Sequence, residues 1–316
     1  TMTAAEAGKG KPKGAAFSRR KKWSATAWLC FGVALIPIVS FIIFSGLPVI
    51  LSFISMFVTM DYNMLDTMEW NNFENFRTVF TDGTFWQSWK VTLILATTQF
   101  ISLGVALLIS VLLEQKVKGG KALQALYFMP YICSSVAISI MWQWVFSKDM
   151  GILNAILGQK IDWLNDVEHP YRLTAAIYVT ILWQAPAYGI VMFKAALKNV
   201  NPSLYEAAEI DGANGFKKFL HVTLPGIKAV TLFLILAGIT TGLGIFDQVL
   251  ILAPLAWTGV AGPDNAGLTV NYYIYNEGIS FSEMEISAVA SWFLFVVTFV
   301  ITYPIVRARN KASQEG

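Results

Sequence analysis

A polar stretch, Asn201–Pro225, lies between two strongly apolar parts of the chain. The types and spacing of its residues suit the binding of another protein. Its first half carries Glu206 followed by Ala207 and Ala208. A glutamate can form an ion pair with a cationic partner, the small alanines permit close approach of another helix, and Gly212 permits a sharp turn. This pattern indicates recognition of a protein surface. A surface loop that merely joins two apolar segments is the alternative that these residues alone leave open.

Two short helices are predicted within this stretch. Asn201 can cap the first, with Pro202 at its first helical position, and Gly212 can end it. Asn214 can cap the second helix. The i, i+3, i+4 spacing predicts one shared apolar face in this second helix for Phe216, Phe219 and Leu220.

Catalytic and metal-binding patterns are missing from the sequence. The nearest approach to a phosphate-binding loop, Gly119–Lys121, is followed by Ala122 in place of Ser or Thr. The two histidines, His169 and His221, fall in separate loops, and neither is paired with a nucleophile or a second metal ligand. We therefore expect a chain that is not an enzyme, that does not hydrolyse ATP by itself and that binds no metal or cofactor.

Composition places these residues in a membrane protein. The 316 residues are 55% hydrophobic and only 14% charged, with a mean hydropathy of +0.55, which is too apolar for an ordinary soluble domain. We predict an all-α polytopic fold over 28–306, preceded by a basic segment, 1–27, without regular structure and followed by a short tail, 307–316. Six stretches are long enough to cross about 30 Å of hydrocarbon at about 1.5 Å per residue: 28–57, 90–113, 122–146, 173–194, 227–252 and 286–306.

The basic residues predict the orientation of these spans. Of the 23 Lys and Arg, five lie on one side: Arg77, Lys148, Lys160 and Arg172 in the loops 58–89 and 147–172, and Lys90 at the edge of the second span. The third loop on that side, 253–285, contains none. The others lie on the opposite side: seven before Trp28, three in 114–121, five in 194–228 and three in 306–316. The positive-inside rule then places both termini and the Asn201–Pro225 loop in the cytoplasm. The cluster Arg19–Lys22 fits this rule and is not taken as a nucleic-acid site.

Polar residues inside the predicted spans are candidates for a substrate pathway. Asp247, which precedes Gln248, should face a cavity or a polar partner because a charge in hydrocarbon is costly. Its role is either in a pathway or in a structural contact that fixes the following loop. Pro130 and Pro186 interrupt two spans, and such breaks often line a pathway. The remaining candidates are also explained by packing or hydrogen bonding between helices: Trp142, Trp183, Gln184 and Tyr188, with Gln99 and Gln143 as further polar positions.

The spacing of Glu206-Ala207-Ala208, three residues, Gly212, nine residues and then Val222–Pro225 closely resembles the EAA signature of ABC importer permeases, in which Ile is usual at position 222. Over residues 120–280 the chain is similar to the carbohydrate-importing, maltose-transporter-type branch. It departs from that branch at Trp257–Pro263, where a Thr-x-Gly-Gly-Pro-like element is usual. The segments that carry the likeness are Tyr127–Pro130, Trp142–Phe146, Gly151–Asn154, Trp163-Leu164, Trp183-Gln184, Ala195–Pro225, Phe246-Asp247 and Gly262-Pro263.

This resemblance implies a six-span permease subunit of an ATP-driven, binding-protein-dependent importer of a sugar or oligosaccharide in a bacterial or archaeal plasma membrane. It implies as partners a second homologous permease, two ATP-binding subunits that use ATP and Mg²⁺, and an extracellular solute-binding protein. The implied contacts with the ATP-binding subunit fall on Glu206, Ala207, Ala208, Asp211, Gly212, Ala213, Leu224 and Pro225.

Other functions make different demands on the sequence. An importer of the same type for glycerol-phosphate or a polyol is the nearest alternative, although an anion should favour basic residues in the cavity and the spans contain almost none. An ATP-independent secondary carrier should show coupling-ion carboxylates or an inverted repeat, and neither is found. A membrane-bound enzyme would need a nucleophile, base or metal set on one side.

Overall fold

The computed structural model describes residues 25–61, 64–114, 119–253 and 259–314. The basic segment predicted over 1–27 lies almost entirely outside the described residues, as do Trp257 and Thr258 of the element that departs from the family pattern. The chain divides into two compact units, Thr1–Leu51 and Ser52–Gly316.

Membrane-spanning helices account for most of the described chain. Five helical stretches are long and apolar enough to cross a membrane: Trp28–Ser55, Gly83–Glu114, Tyr171–Lys198, Lys228–Leu252 and Met284–Arg307. A sixth is a pair, Ala122–Ile132 and Ser135–Val145, whose two parts meet at an angle of 101°. Each predicted span therefore has a counterpart, but the third is broken where Cys133 and Ser134 adopt extended backbone angles.

The first unit is helical throughout its described residues. It contains α1 (Ala25–Phe41), a π-helical turn (Ile42–Gly46) and the beginning of α2 (Leu47–Ser55). Apolar side chains along it are exposed to the surroundings. This is the pattern expected of a helix whose solvent is lipid, where the hydrophobic residues have no reason to turn inward.

The second unit opens with two strands that the all-α expectation did not include. Strands β1 (Val58–Asp61) and β2 (Met64–Trp70) pair antiparallel, and α3 (Glu74–Thr81) follows. The side-chain amide of Asn75 donates to the carbonyl oxygens of Met56 at 3.2 Å and Val58 at 3.0 Å. The loop predicted over 58–89 thus contains a hairpin and a helix that are fastened together.

The next helices carry the second to fourth spans. They are α4 (Gly83–Glu114), α5 (Gly120–Ile132), α6 (Ser135–Val145), α7 (Ile152–Leu157), α8 (Tyr171–Gln184) and α9 (Pro186–Lys198). Helix α4 begins seven residues before the predicted span because Asp82 caps it, its Oδ1 atom accepting from the Thr84 amide at 2.8 Å. Pro186 starts α9 without interrupting the span, since Ala185 keeps helical backbone angles.

The remaining helices begin in the polar loop and continue to the end of the described chain. They are α10 (Pro202–Ile210), α11 (Gly215–Lys218), α12 (Leu224–Gly226), α13 (Lys228–Leu243), α14 (Asp247–Leu252), α15 (Val270–Tyr275) and α16 (Met284–Gln314). Short π-helical turns at Phe219–Thr223 and Asn276–Ser280 connect several of them.

Helix α4 packs against α8, α9 and α13. Small residues permit the closest approaches: a methyl group added at Gly189 would lie 2.8 Å from the Cβ atom of Ala106, and one at Gly242 would lie 3.1 Å from the Cβ atom of Ala96. Close packing of this kind holds helices together in lipid, because the hydrophobic driving force between them is weak there.

Two separate hydrophobic cores result. The one nearer the polar loop contains residues of α4, α9 and α13 and of the turns that follow α9 and precede α13: Ala106, Ile190, Phe193, Ala196, Leu197, Val200, Ile227 and Leu234. The larger one lies toward the opposite end of the spans and includes Phe85, Leu95, Ile177, Val249 and Leu268. The spans therefore enclose a region between the cores that is not filled by apolar side chains alone.

An acidic cluster lies around the start of α4 and the end of α15, outside the spans. The Tyr273 hydroxyl donates to Oδ2 of Asp82 at 3.0 Å. Burial raises the pKa of Glu277 to about 7, with Glu283 and then Asp82 adding to the effect. Burial and the same carboxylates also raise the pKa of Tyr273. Glu277 is therefore a carboxyl that takes up a proton near neutral pH.

This cluster predicts a pH-dependent stability. A carboxyl whose pKa is raised on folding binds its proton more tightly in the folded protein, so its contribution is fully present below about pH 4.5 and is lost as the pH rises to about 7. Glu277→Gln should keep the neutral form. From pH 5 to pH 8 the native protein should lose on the order of 1–3 kcal/mol of unfolding free energy relative to the variant. The measurement is the fall of its thermal denaturation midpoint over this pH range. Parallel profiles in detergent would contradict this.

Candidate functional site

A half-open cavity of about 410 Å³ lies between the spans of the second unit. Ile181 belongs to one hydrophobic core and Ala106 and Leu234 to the other, and all three line it. Its polar lining consists of neutral side chains: Gln99, Ser102, Tyr131, Ser135, Gln184, Tyr188, Thr241 and Gln248. The lining residues include no Asp, Glu, Lys or Arg.

Helix ends in three of the spans meet at this cavity. Tyr131 and Ser135 flank the break between α5 and α6, Gln184 ends α8, and Gln248 is the second residue of α14. Irregular backbone at membrane depth is tolerated where it is buried in protein or lines a cavity. The breaks therefore account for the concentration of polar groups at this position.

The side chains in the cavity offer two kinds of contact. The amides of Gln248 and Gln184 lie within reach of each other, with 3.4 Å between Nε2 and Oε1. The rings of Tyr131 and Tyr188 stack with centroids 5.2 Å apart. Amides and hydroxyls can both donate and accept hydrogen bonds, and the ring faces are apolar. The cavity can bind hydroxyl groups, but its lining has no charge with which to neutralise an anion.

Asp247 lies beside the cavity and is not among its lining residues. It begins α14, and its Oδ2 atom accepts a hydrogen bond from the Ser135 hydroxyl at 2.6 Å. A second contact joins the same two helices, because the Gln143 amide donates to the carbonyl oxygen of Ile251 at 3.3 Å. Asp247, on α14, thus has a polar partner, Ser135, on α6.

The predicted pathway residues divide into two groups. Gln184, Tyr188 and Gln248 line the cavity, whereas Asp247, Trp142 and Trp183 do not. The two tryptophan rings pack edge to face with centroids 6.0 Å apart. Lining residues that the sequence did not single out are Ser102, Tyr131, Ser135 and Thr241. A signal for Ser102 was present, because it lies one helical turn from Gln99.

The two helix caps and the glycine turn predicted for the polar loop are present in the structure. The Asn201 side chain accepts from the Ser203 amide at 3.1 Å and the Asn214 side chain from the Lys217 amide at 2.9 Å. Gly212, at φ +72°, ends α10 in the left-handed conformation. The amide of the next residue, Ala213, donates to the carbonyl oxygen of Ala208 at 2.9 Å, which completes a Schellman motif.

The predicted second helix is shorter than expected. Helix α11 ends at Lys218, and a π-helical turn follows from Phe219. The wider turn shifts the 3.6-residue period, so the prediction of one continuous apolar face does not apply. Phe216 and Leu220 are exposed, while Phe219 is half-buried.

Two side-chain contacts brace the loop. Lys218 Nζ lies 2.9 Å from Oε2 of Glu209, joining α11 to α10, and this contact lowers the pKa of Glu209. The hydroxyls of Tyr205 and Thr223 are 2.9 Å apart. The predicted coupling residues then fall in two groups: Glu206, Ala207, Asp211, Gly212 and Pro225 are exposed, and Ala208, Ala213 and Leu224 are half-buried.

Apolar helical spans around a neutral polar cavity define an integral membrane protein built to accommodate a polar solute. Residues 102–311 match the family described as the binding-protein-dependent transport system inner membrane component, and the chain belongs to this family. It is therefore a multi-pass membrane permease of the ABC transporter class, and the predicted family and helical fold are confirmed.

Curated relatives agree with this assignment. The chain is 31% identical over 276 residues to the probable ABC transporter permease protein YesP of Bacillus subtilis, covering 84% of this chain and 85% of that protein. It is 28% identical to the lactose transport system permease protein LacF of Rhizobium radiobacter, covering 90% and 94%. It is 32% identical to the sn-glycerol-3-phosphate transport system permease protein UgpA of Agrobacterium fabrum, covering 72% and 76%.

A solved structure shares the fold. A chain of a bacterial ABC transporter involved in the import of the acidic polysaccharide alginate superposes with a TM-score of 0.74 at 23% identity, covering 90% of this chain and 96% of that chain. The permease fold therefore extends over nearly the whole length of the chain.

The Asp247–Ser135 contact predicts the effect of three substitutions. If the carboxylate mainly ties α14 to α6, Ser135→Ala and Asp247→Ala should each lower the free energy of unfolding by a similar amount, on the order of 1–3 kcal/mol. The denaturation midpoint should fall with it. Asp247→Asn keeps an acceptor for the Ser135 hydroxyl and should lose less. Differential scanning measurements on the purified variants check this. A stable Asp247→Asn protein that nevertheless fails in uptake would assign the carboxylate to the substrate pathway instead.

Proposed function

We propose that this chain is the permease subunit of an ATP-driven, binding-protein-dependent importer of a neutral sugar or oligosaccharide. The observation that carries this proposal is the cavity at the helix breaks, in which every polar side chain of the lining is uncharged. The proposed partners are a second homologous permease, two ATP-binding subunits that use ATP and Mg²⁺, and an extracellular solute-binding protein. The catalysis of ATP hydrolysis is assigned to the ATP-binding subunits.

The chemistry of the lining favours a neutral carbohydrate. Gln99, Gln184 and Gln248 can bind hydroxyl groups in either hydrogen-bond sense, and Tyr131 and Tyr188 present ring faces to the apolar side of a sugar. Glycerol-phosphate import, which the name of UgpA records for that relative, requires compensation of a phosphate charge. The absence of Lys and Arg from the lining argues against this alternative here.

Removal of one cavity amide should reduce transport specifically. Gln184→Leu should lower uptake at low sugar concentration about five- to tenfold, because each lost hydrogen bond to the solute leaves polar groups unpaired. The test is uptake of radiolabelled neutral sugars, with glycerol-phosphate in parallel, by proteoliposomes that contain the complete transporter. Gln159→Leu changes an exposed amide outside the cavity and is the matched control. Equal uptake by both variants, or preferential uptake of glycerol-phosphate by the native protein, would contradict the substrate assignment.

We further propose that the loop Asn201–Pro225 couples the permease to an ATP-binding subunit in the cytoplasm. Ile210 is 88% exposed and Phe216 is 71% exposed, although both lie outside the spans, where neither core nor lipid tails cover them. Exposed apolar residues beside the exposed carboxylate of Glu206 suit insertion into a protein cleft with a cationic rim. Closure of the ATP-binding subunits then displaces the loop and drives alternating access.

A charge reversal tests this coupling. Glu206→Lys should reduce co-purification of the ATP-binding subunit and sugar uptake about tenfold, while membrane insertion is unchanged, because it places like charges across the contact. Glu168→Lys reverses an exposed charge in a different loop and should behave as the native protein. Normal association and uptake for Glu206→Lys would remove the loop from the coupling interface. Uptake by the native complex that follows an ion gradient without ATP would favour a secondary carrier.

A further inference from the structure

The two arms of the broken third span are held by different parts of the protein. Helix α6 is fastened to α14 through Ser135–Asp247 and through the Gln143 amide on the carbonyl oxygen of Ile251. Helix α5 packs mainly against α9. Between the arms, only Cys133 and Ser134 are extended. Both arms also touch α8 in a few places, but their main partners differ, and a break of two residues between arms with different main partners has the construction of a hinge.

The attachment of α5 to α9 depends on few side chains. Gln124 and Phe128, one helical turn apart, are half-buried and Pro130 is buried, whereas Tyr131 is half exposed. Lys194 Nζ donates to Oε1 of Gln124 at 2.6 Å, and Tyr131 stacks on Tyr188. The remaining apolar side chains of α5 are mostly exposed. The bond from Lys194 and the tyrosine stack therefore both join this arm to α9.

Lys194 is unusual in its position. It lies on the spanning helix stretch Tyr171–Lys198, four residues before its end, and its hydrogen-bond partner is a neutral amide. A lysine near the end of a spanning stretch can extend its charge to the membrane interface, and the bond to Gln124 holds this side chain in one position. It lies six residues beyond Tyr188, about 9 Å along the axis at about 1.5 Å per residue. It therefore stands between the cavity and the point where α9 enters the Asn201–Pro225 loop.

We propose that Cys133-Ser134 is a hinge, and that the Lys194–Gln124 hydrogen bond is a clamp that makes α5 move with α9. Displacement of the loop is carried along α9 through the clamp to α5, while α6 stays with α14. Because Tyr131 and Ser135 flank the hinge and line the cavity, a change of hinge angle changes the cavity itself. This inference rests on the proposed function, since it presumes that the loop is displaced by an ATP-binding subunit. Lys194 and Gln124 are positioning residues and are assigned no contact with the sugar.

The test measures sugar transported per ATP hydrolysed by the complete transporter in proteoliposomes. Lys194→Met and Gln124→Leu should each lower this ratio about fivefold, because ATP-driven movement of the loop is no longer transmitted to the cavity. The double variant should be no worse than either single one, since both remove the same bond. Lys194→Arg retains a donor and should preserve much of the ratio. Lys198→Met removes an exposed lysine of the same helix and is the control.

Chemical bridging separates a clamp from other roles. In a background with Cys30 and Cys133 replaced by serine, which is itself checked for transport, Lys194→Cys with Gln124→Cys should lose coupling. A bis-methanethiosulfonate bridge should restore the ratio, and dithiothreitol should abolish it again. Ratios that match the native protein in the single variants, or a bridge that arrests transport, would overturn the clamp. If a single variant fails to co-purify with the ATP-binding subunit, the clamp is judged from the transport ratio of the bridged double-cysteine protein. If the native complex shows no ATP-dependent sugar uptake, the proposed function itself is wrong.

Discussion

The structure depends on the rule that a backbone in hydrocarbon must satisfy its own hydrogen bonds. Helix α4 obeys it without interruption over 32 residues. Its buried hydroxyls also bond within the helix, as when Ser110 donates to the carbonyl oxygen of Ala106 at 2.7 Å. The same hydroxyl lies 3.1 Å from the carbonyl oxygen of Ile190, which ties α4 to α9. A continuous helix of this kind can serve as the element against which broken helices are arranged.

The departures from that rule gather at one place. The breaks after Ile132 and Leu243 and the junction of α8 with α9 bring polar residues to one cavity, between two hydrophobic cores. Each break leaves backbone groups to be satisfied by neighbouring side chains or by whatever fills the cavity. Their convergence is difficult to explain by folding alone, since unbroken helices in the third and fifth spans would satisfy more hydrogen bonds. It is readily explained if the groups serve a solute that passes between the spans.

The sequence predicted the features that local chemistry determines. Hydropathy located the spans, and Asn201, Gly212 and Asn214 located the ends of the loop helices, because a cap depends on residues close by in the chain. It did not predict the bend at Cys133-Ser134 or the hairpin of β1 and β2, whose formation depends on long-range contacts such as those of Asn75. Nor could it decide which neighbours line the cavity. Gln248 does and Asp247 does not, a difference that only the rotation of α14 settles.

The braces within the Asn201–Pro225 loop bear on how a force could reach the cavity. A flexible loop would absorb displacement, since its residues could rearrange at little cost. This loop is capped at Asn201 and Asn214, closed by a Schellman motif at Gly212, and braced by the Glu209–Lys218 and Tyr205–Thr223 contacts. A methyl group added at Gly226 would lie 3.0 Å from Val200, so its two ends also touch. A segment fixed in this way moves as one piece, and α9 ends where it begins. The stiffness of the loop and the few contacts that hold α5 are therefore complementary: the first transmits a displacement, and the second determines which arm of the hinge receives it.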